Sequence, residues 1–112
     1  MKIYHNPRCT KSRQTLELLK EKGQNPEVIE YLKSPPSQAE LKQLLDALKL
    51  PAEDIIRKGE TLYKEKYKGK NYSNEAWIKI MVENPILIER PIVVNGKKAA
   101  LGRPPENVLN VL

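Results

Sequence analysis

Cys9 is the one cysteine of the chain, and it sits in the run His5-Asn6-Pro7-Arg8-Cys9-Thr10-Lys11-Ser12-Arg13. A lone thiol is a small buried hydrophobe, an incidental surface group or a reactive centre, and its surroundings decide among these. Here the cysteine lies between a predicted strand and a predicted helix. The free N–H groups and the positive dipole end of a helix N-terminus favour an anion at such a point. An ordinary thiol has a pKa of about 8.5 and is only a few per cent ionised at pH 7. Lowering that by about two units needs about 2.7 kcal/mol of differential stabilisation and makes roughly three-quarters of it thiolate. The hydroxyls of Thr10 and Ser12 and the charges of Arg8, Lys11 and Arg13 are candidate contributors. His5, the one histidine, either favours the thiolate when protonated or takes the thiol proton when neutral. The plainer reading of His5 is a strand-end histidine satisfied by backbone. Because position 12 is serine, the pattern is Cys-x-x-Ser. An internal disulfide is excluded, and any redox cycle needs an external thiol.

The five arginines are Arg8, Arg13, Arg57, Arg90 and Arg103, against fifteen lysines scattered along the chain in a formal net charge of +6. Scattered lysines read as solvated faces, so the arginines say more. A guanidinium donates in a planar fork that matches an oxyanion. The plainer reading pairs Arg57 with Glu60, and Arg90 and Arg103 with Glu89 and Glu106.

The elements that must position these groups follow from the pattern. Lys2–His5 reads as a first strand, and Asn6-Pro7-Arg8 as a turn. A helix runs from Thr10, with Leu16 and Leu19 at helical spacing, to a stop at Gly23. Residues 27–31 read as a second strand. Ser37-Gln38-Ala39-Glu40 has the capping-box pattern and opens a helix with Leu41, Leu44, Leu45 and Leu48 at i, i+3, i+4, i+7. A short helix with Ile55 and Ile56 follows Pro51. Residues 58–72 read as polar and irregular, with a helical turn near Leu62. Ser73 caps a helix whose Trp77, Ile80 and Met81 face inward, ended by Asn84-Pro85. Pro91–Val94 and Lys97–Leu101 flank Asn95-Gly96, which reads as a type I′ hairpin turn. A last helix carries Val108, Leu109 and Leu112. The order β-α-β, helices, hairpin, helix predicts an α/β fold of thioredoxin or glutaredoxin type. It is a four-stranded mixed sheet flanked by helices, in a single domain with a helical insertion at about 37–84 between strands two and three.

Composition excludes several classes. A chain of 112 residues, 30% of them charged, fits one ordinary globular core. No apolar run approaches the roughly 20 residues needed to span a bilayer, and residues 1–6 lack a signal-peptide core. A cytoplasmic, membrane-free protein is expected. One cysteine and one histidine cannot assemble a Cys/His zinc site, so no metal is expected.

Four segments together resemble the glutaredoxin-coupled arsenate reductase family: residues 5–13, Ile56-Arg57-Lys58-Gly59, residues 84–93 from Asn84-Pro85 through Arg90-Pro91-Ile92-Val93, and Gly102-Arg103-Pro104-Pro105-Glu106. The resemblance covers nearly the whole chain, in order. It implies that Cys9 attacks arsenate, that Arg57, Arg90 and Arg103 hold its oxygens, that His5 and Ser12 support the thiolate, and that Pro91 is the cis-proline of thioredoxin-like folds. It further implies glutathione as co-substrate and glutaredoxin as protein partner; no bound cofactor is expected, and a monomer is the expectation for one cysteine-poor domain. The chain stops directly after its last predicted helix, like short chromosomal relatives and unlike longer members with a C-terminal extension. Arsenate, a similar oxyanion or a thiol adduct is the expected substrate.

Rivals fare worse. A Cys-x5-Arg phosphatase loop fails because position 15 is Thr15, and no Gly-x4-Gly-Lys loop is present. An Spx-like transcription regulator that binds RNA polymerase shares the fold, but many such proteins carry Cys-x-x-Cys. Lys58–Tyr72 interleaves lysines with Tyr63, Tyr67 and Tyr72, as a single-strand nucleic-acid binder does. Glu60 and Glu65 interrupt it and no nucleic-acid module accompanies it, so no nucleic-acid partner is expected.

Overall fold

The structure, a computed structural model, describes all of residues 1–112. It divides into two compact units, residues 1–34 with 90–112, and residues 35–89. The insertion expected at about 37–84 falls within the second.

The first unit is built on a four-stranded sheet of order β2-β1-β3-β4, with β1 Lys2–His5, β2 Glu27–Glu30, β3 Ile92–Asn95 and β4 Lys98–Leu101. β1 and β2 are parallel, joined by helix α1, Thr10–Glu21, whereas β1–β3 and β3–β4 are antiparallel. Ile3 lies opposite Val93, so both side chains leave the sheet on one face. There they join Leu19 of α1 with Val108 and Val111 in a fully buried cluster, with Leu16, Leu18, Met1 and Ala100 against it. Each large aliphatic side chain buried this way contributes about 1.5–3 kcal/mol.

Two local expectations are corrected. The hairpin turn is one residue later than Asn95-Gly96: Asn95 pairs with Lys98, which leaves Gly96-Lys97 as the two-residue loop. Of these only Gly96 has positive φ, at 64°. That is the type II′ requirement, with glycine at the first central position, rather than type I′. The last helix, Pro105–Val111, is a 3-10 helix that buries Pro105, Val108 and Val111. A three-residue period puts every third residue on one face, so Leu109 and Leu112 stay exposed.

The second unit is helical: α2 Gln38–Leu48, a 3-10 turn Ala52–Ile55, α3 Thr61–Lys66, α4 Asn74–Glu83 and a 3-10 turn Pro85–Leu87. The capping box of α2 is complete, since Ser37 Oγ accepts from Glu40 N–H and Glu40 accepts from Ser37 N–H. Ser73 Oγ caps α4 by accepting from Ala76 N–H. On α4 the buried residues are Trp77, Ile78 and Met81; Ile80 is only half-buried. The rings of Tyr63, Tyr67 and Tyr72 all pack on Trp77, with centroids 5.0–6.4 Å away. The tyrosines of the lysine-rich segment therefore serve this cluster.

At the end of β4, the backbone of Gly102 approaches α1 and Pro91. A Cβ there would lie 2.6 Å from Thr15 Oγ1 and 2.7 Å from Pro91 Cγ. Thr15 cannot turn aside cheaply, because it is fully buried and its hydroxyl donates to the Lys11 carbonyl. Gly102→Ala is expected to lower stability by about 1–3 kcal/mol, the usual cost of overpacking. Gly59→Ala, where a Cβ meets nothing within 4 Å, serves as control. Denaturant melts of the two variants check this, and equal midpoints would refute it.

Candidate active site

One end of the sheet gathers the chemistry. The register sets His5 of β1 beside Glu30 of β2, Tyr4 beside Ile92 of β3, and Ile92 beside Leu101 of β4. The last residues of β1, β2 and β4 and the first of β3 therefore share an end. The segments that follow or precede them bring Cys9, Tyr31, Arg90 and Arg103 to that end.

Cys9 is the N-cap of α1, with extended backbone at φ −93° and ψ 123°. The turn before it is made by Asn6, which is buried: its carbonyl accepts from Cys9 N–H at 3.0 Å, and its side-chain Oδ1 accepts from Arg8 N–H at 3.0 Å. This Asx-type turn aims the half-buried thiol across the start of α1. Burial by itself would push the Cys9 pKa up. The backbone N–H of Ser12, a hydrogen bond from and the charge of Arg90, and the charge of Arg103 outweigh it and hold the thiol below its ordinary value. Arg103 Nη2 donates to Cys9 Sγ at 3.5 Å.

Both arginines are fixed by their backbones. Arg103 Nε donates to the Arg90 carbonyl at 2.7 Å, Gly102 N–H donates to the Pro91 carbonyl at 2.9 Å, and Asn107 Nδ2 donates to the Arg103 carbonyl at 3.1 Å. The Arg90–Pro91 bond is cis, as is Arg103–Pro104. Desolvation works against the Arg90 charge, but the Tyr31 phenol and Cys9 more than offset it, and its pKa is raised.

The remaining candidates are placed as follows. Ser12 is fully buried, and its hydroxyl lies 2.6 Å from His5 Nδ1 and accepts from Asn6 N–H at 3.1 Å. It is the backbone of Ser12, not its hydroxyl, that reaches Cys9. Thr10 Oγ1 accepts from Arg13 Nη2 at 3.3 Å, and Arg13 Nη1 donates to the Pro7 carbonyl at 3.0 Å. Arg57 belongs to the second unit, where it pairs with Glu60 at 3.2 Å and Glu89 at 2.8 Å. No group of three or more His, Cys, Asp or Glu could hold a metal ion.

A model described as the ArsC family matches residues 4–111. The chain belongs to that family. Among its relatives, the uncharacterized protein YfgD of Escherichia coli K12 is 53% identical, with all of this chain and 96% of the relative covered. An arsenate reductase of Neisseria meningitidis is 46% identical, with all of this chain and 97% of the relative covered. The solved structure of an arsenate reductase from Vibrio cholerae superposes with a TM-score of 0.95 at 50% identity, covering 99% of this chain and 96% of that one. The mixed sheet with flanking helices is thus the thioredoxin-like fold of ArsC arsenate reductases, and membership marks the chain as an oxidoreductase. No helix is long and apolar enough to cross a membrane.

Two site residues of this ArsC chain were not singled out from sequence, Asn6 and Tyr31. Asn-Pro ahead of a helix is a turn signal. Tyr31 stands one residue beyond the end of a parallel strand, where α/β sheets place their sites.

His5 is buried, and desolvation lowers its pKa; Glu30 opposes this and Arg13 and Lys20 reinforce it. The imidazole is therefore neutral at pH 7. The unfolded chain takes up this proton near pH 6.5 and the folded one only at lower pH. The stability His5 contributes is complete above that value and is lost as pH falls through the folded pKa. Long-range 15N–1H spectra of His5 are expected to show a midpoint below 6.5; a midpoint at or above it contradicts this.

Proposed function

We propose that this protein reduces arsenate, or an oxyanion of the same shape and charge, to arsenite, with Cys9 as nucleophile and glutathione as the electron source. The observation that carries the reading is a sulfur at a helix N-terminus faced by the guanidinium groups of Arg90 and Arg103. A thiolate attacking an anion builds up negative charge, and paired donors fixed in advance offset it.

The Cys9 thiolate displaces one arsenate oxygen, which leaves as water after protonation, and a sulfur–arsenic(V) bond forms. The glutathione sulfur then attacks Cys9 Sγ. The sulfur–arsenic bond breaks with its electron pair going to arsenic, which departs as arsenite. Two thiols have become one mixed disulfide, supplying the two electrons that arsenic(V) takes. A glutaredoxin thiol removes the glutathione and returns Cys9 as thiolate. With no second cysteine in the chain, these external thiols complete the cycle. Neutral His5, through its contact with the Ser12 hydroxyl, holds the first turn of α1 so that the Ser12 N–H meets the sulfur.

Arsenate reduction with glutathione and glutaredoxin, beside a thioredoxin control, tests the reading. Cys9→Ser is expected to fall to background; full activity in it rejects the mechanism. Arg90→Ala and Arg103→Ala are each expected to raise the thiol pKa and to lower kcat/KM about 10²-fold, with lysine a poor substitute. An unshifted thiol titration in both removes them from the site. The oxyanion role of Arg57 rests on the resemblance, and arsenate affinity in Arg57→Ala tests it separately.

A further inference from the structure

The reading above leaves one polar group at the active end of the sheet without a task, the phenol of Tyr31. The residue is 1% exposed, and a phenol buried that deeply has to be hydrogen-bonded. The Arg90 guanidinium, from the segment entering β3 at the same end of the sheet, lies within hydrogen-bonding reach of Tyr31 and of Cys9. A guanidinium only donates, so the phenol oxygen accepts. Arg90 is thus held at three points: its carbonyl by Arg103 Nε, and its guanidinium by Tyr31 and by the sulfur.

We propose that Tyr31 is a positioning residue, whose phenol oxygen holds the Arg90 guanidinium aimed at Cys9 and at the oxyanion that Cys9 attacks. The proposal rests on Cys9 being the reactive thiolate. Arginine is a long side chain with many rotamers, and it contributes fully to an anion site only when one of them is selected beforehand. A buried acceptor beside the guanidinium makes that selection. Tyrosine suits the task because the ring packs into the core while the oxygen alone bonds. A carboxylate there would compete for the charge that the thiolate needs.

The test is Tyr31→Phe, which keeps the ring and removes the acceptor, read by ultraviolet titration of the Cys9 thiolate and by kinetics with arsenate. The thiolate fraction at neutral pH is expected to drop and KM for arsenate to rise, each about 3- to 10-fold, with a smaller change in kcat. In an Arg90→Ala background the same substitution should shift the titration no further. An unshifted titration in Tyr31→Phe overturns the proposal, and so does a shift that persists undiminished without Arg90. The titration needs no arsenate turnover. A shift dependent on Arg90 in a protein that reduces no arsenate therefore supports the role of Tyr31 while rejecting the substrate. Should Tyr31→Phe not fold, a nuclear Overhauser contact between the Tyr31 ring and the Arg90 side chain in the native protein decides instead, and its absence overturns the proposal.

Discussion

A half-buried sulfur can stay ionised only where the donors around it outweigh its lost hydration. In this protein the compensation is concrete: the Ser12 N–H from the first turn of α1, a hydrogen bond and charge from Arg90, and the Arg103 guanidinium 3.5 Å away. Much of the first unit can be understood as the means of bringing those groups together. A parallel pair followed by an antiparallel hairpin places the exit of β1, the entry of β3 and the exit of β4 at one end. No other order of these four strands needs to be invoked to join residues 9, 90 and 103. Gly102 is part of the same requirement. With a side chain there, the β4 exit could not lie against Thr15 and Pro91, and Arg103 would start from the wrong place.

Periodicity and caps made most of the elements legible. The Ser37–Glu40 pattern forms the reciprocal cap it spells, and Ser73 caps α4 as its position implies. What escaped was set by packing rather than by local preference. Val108, Leu109 and Leu112 fit an α-helical stripe, but Pro105, Val108 and Val111 fit a 3-10 stripe equally well, and the sheet chose the second. Asn95-Gly96 is a strong turn signal, yet the ladder carried Asn95 into β3 and left Gly96 to supply the positive φ alone. The register is governed by which of Ile92, Val93 and Val94 face the core, and a two-residue signal cannot override that.

The site was legible in its residues more than in their roles. Cys9, Arg90 and Arg103 were named, and they meet. The charged neighbours in sequence were a poor guide to the thiolate: Arg13 is engaged with Pro7 and Thr10, while the effective charges come from residues 81 and 94 positions away. The Ser12 hydroxyl, a candidate contributor to the thiolate, contacts His5, and it is the Ser12 backbone N–H that meets the sulfur.

That orientation bears on why the pattern is Cys-x-x-Ser. Position 12 is fully buried beneath the sulfur, so its side chain looks into the core while Cys9 looks partly out. With the inner position given to a hydroxyl, no second sulfur is available to close on the first. In the proposed cycle the oxidised product would then leave through the exposed side, by exchange with a thiol arriving from solvent. On that proposal the cationic groups would serve the exchange as well as the first attack. A thiolate leaving group departs faster as its pKa falls, so the donors that lower the Cys9 pKa would also favour its release if a mixed disulfide is cleaved in the proposed cycle. One electrostatic arrangement would thereby favour both halves of the proposed cycle, which begins and ends at the same sulfur.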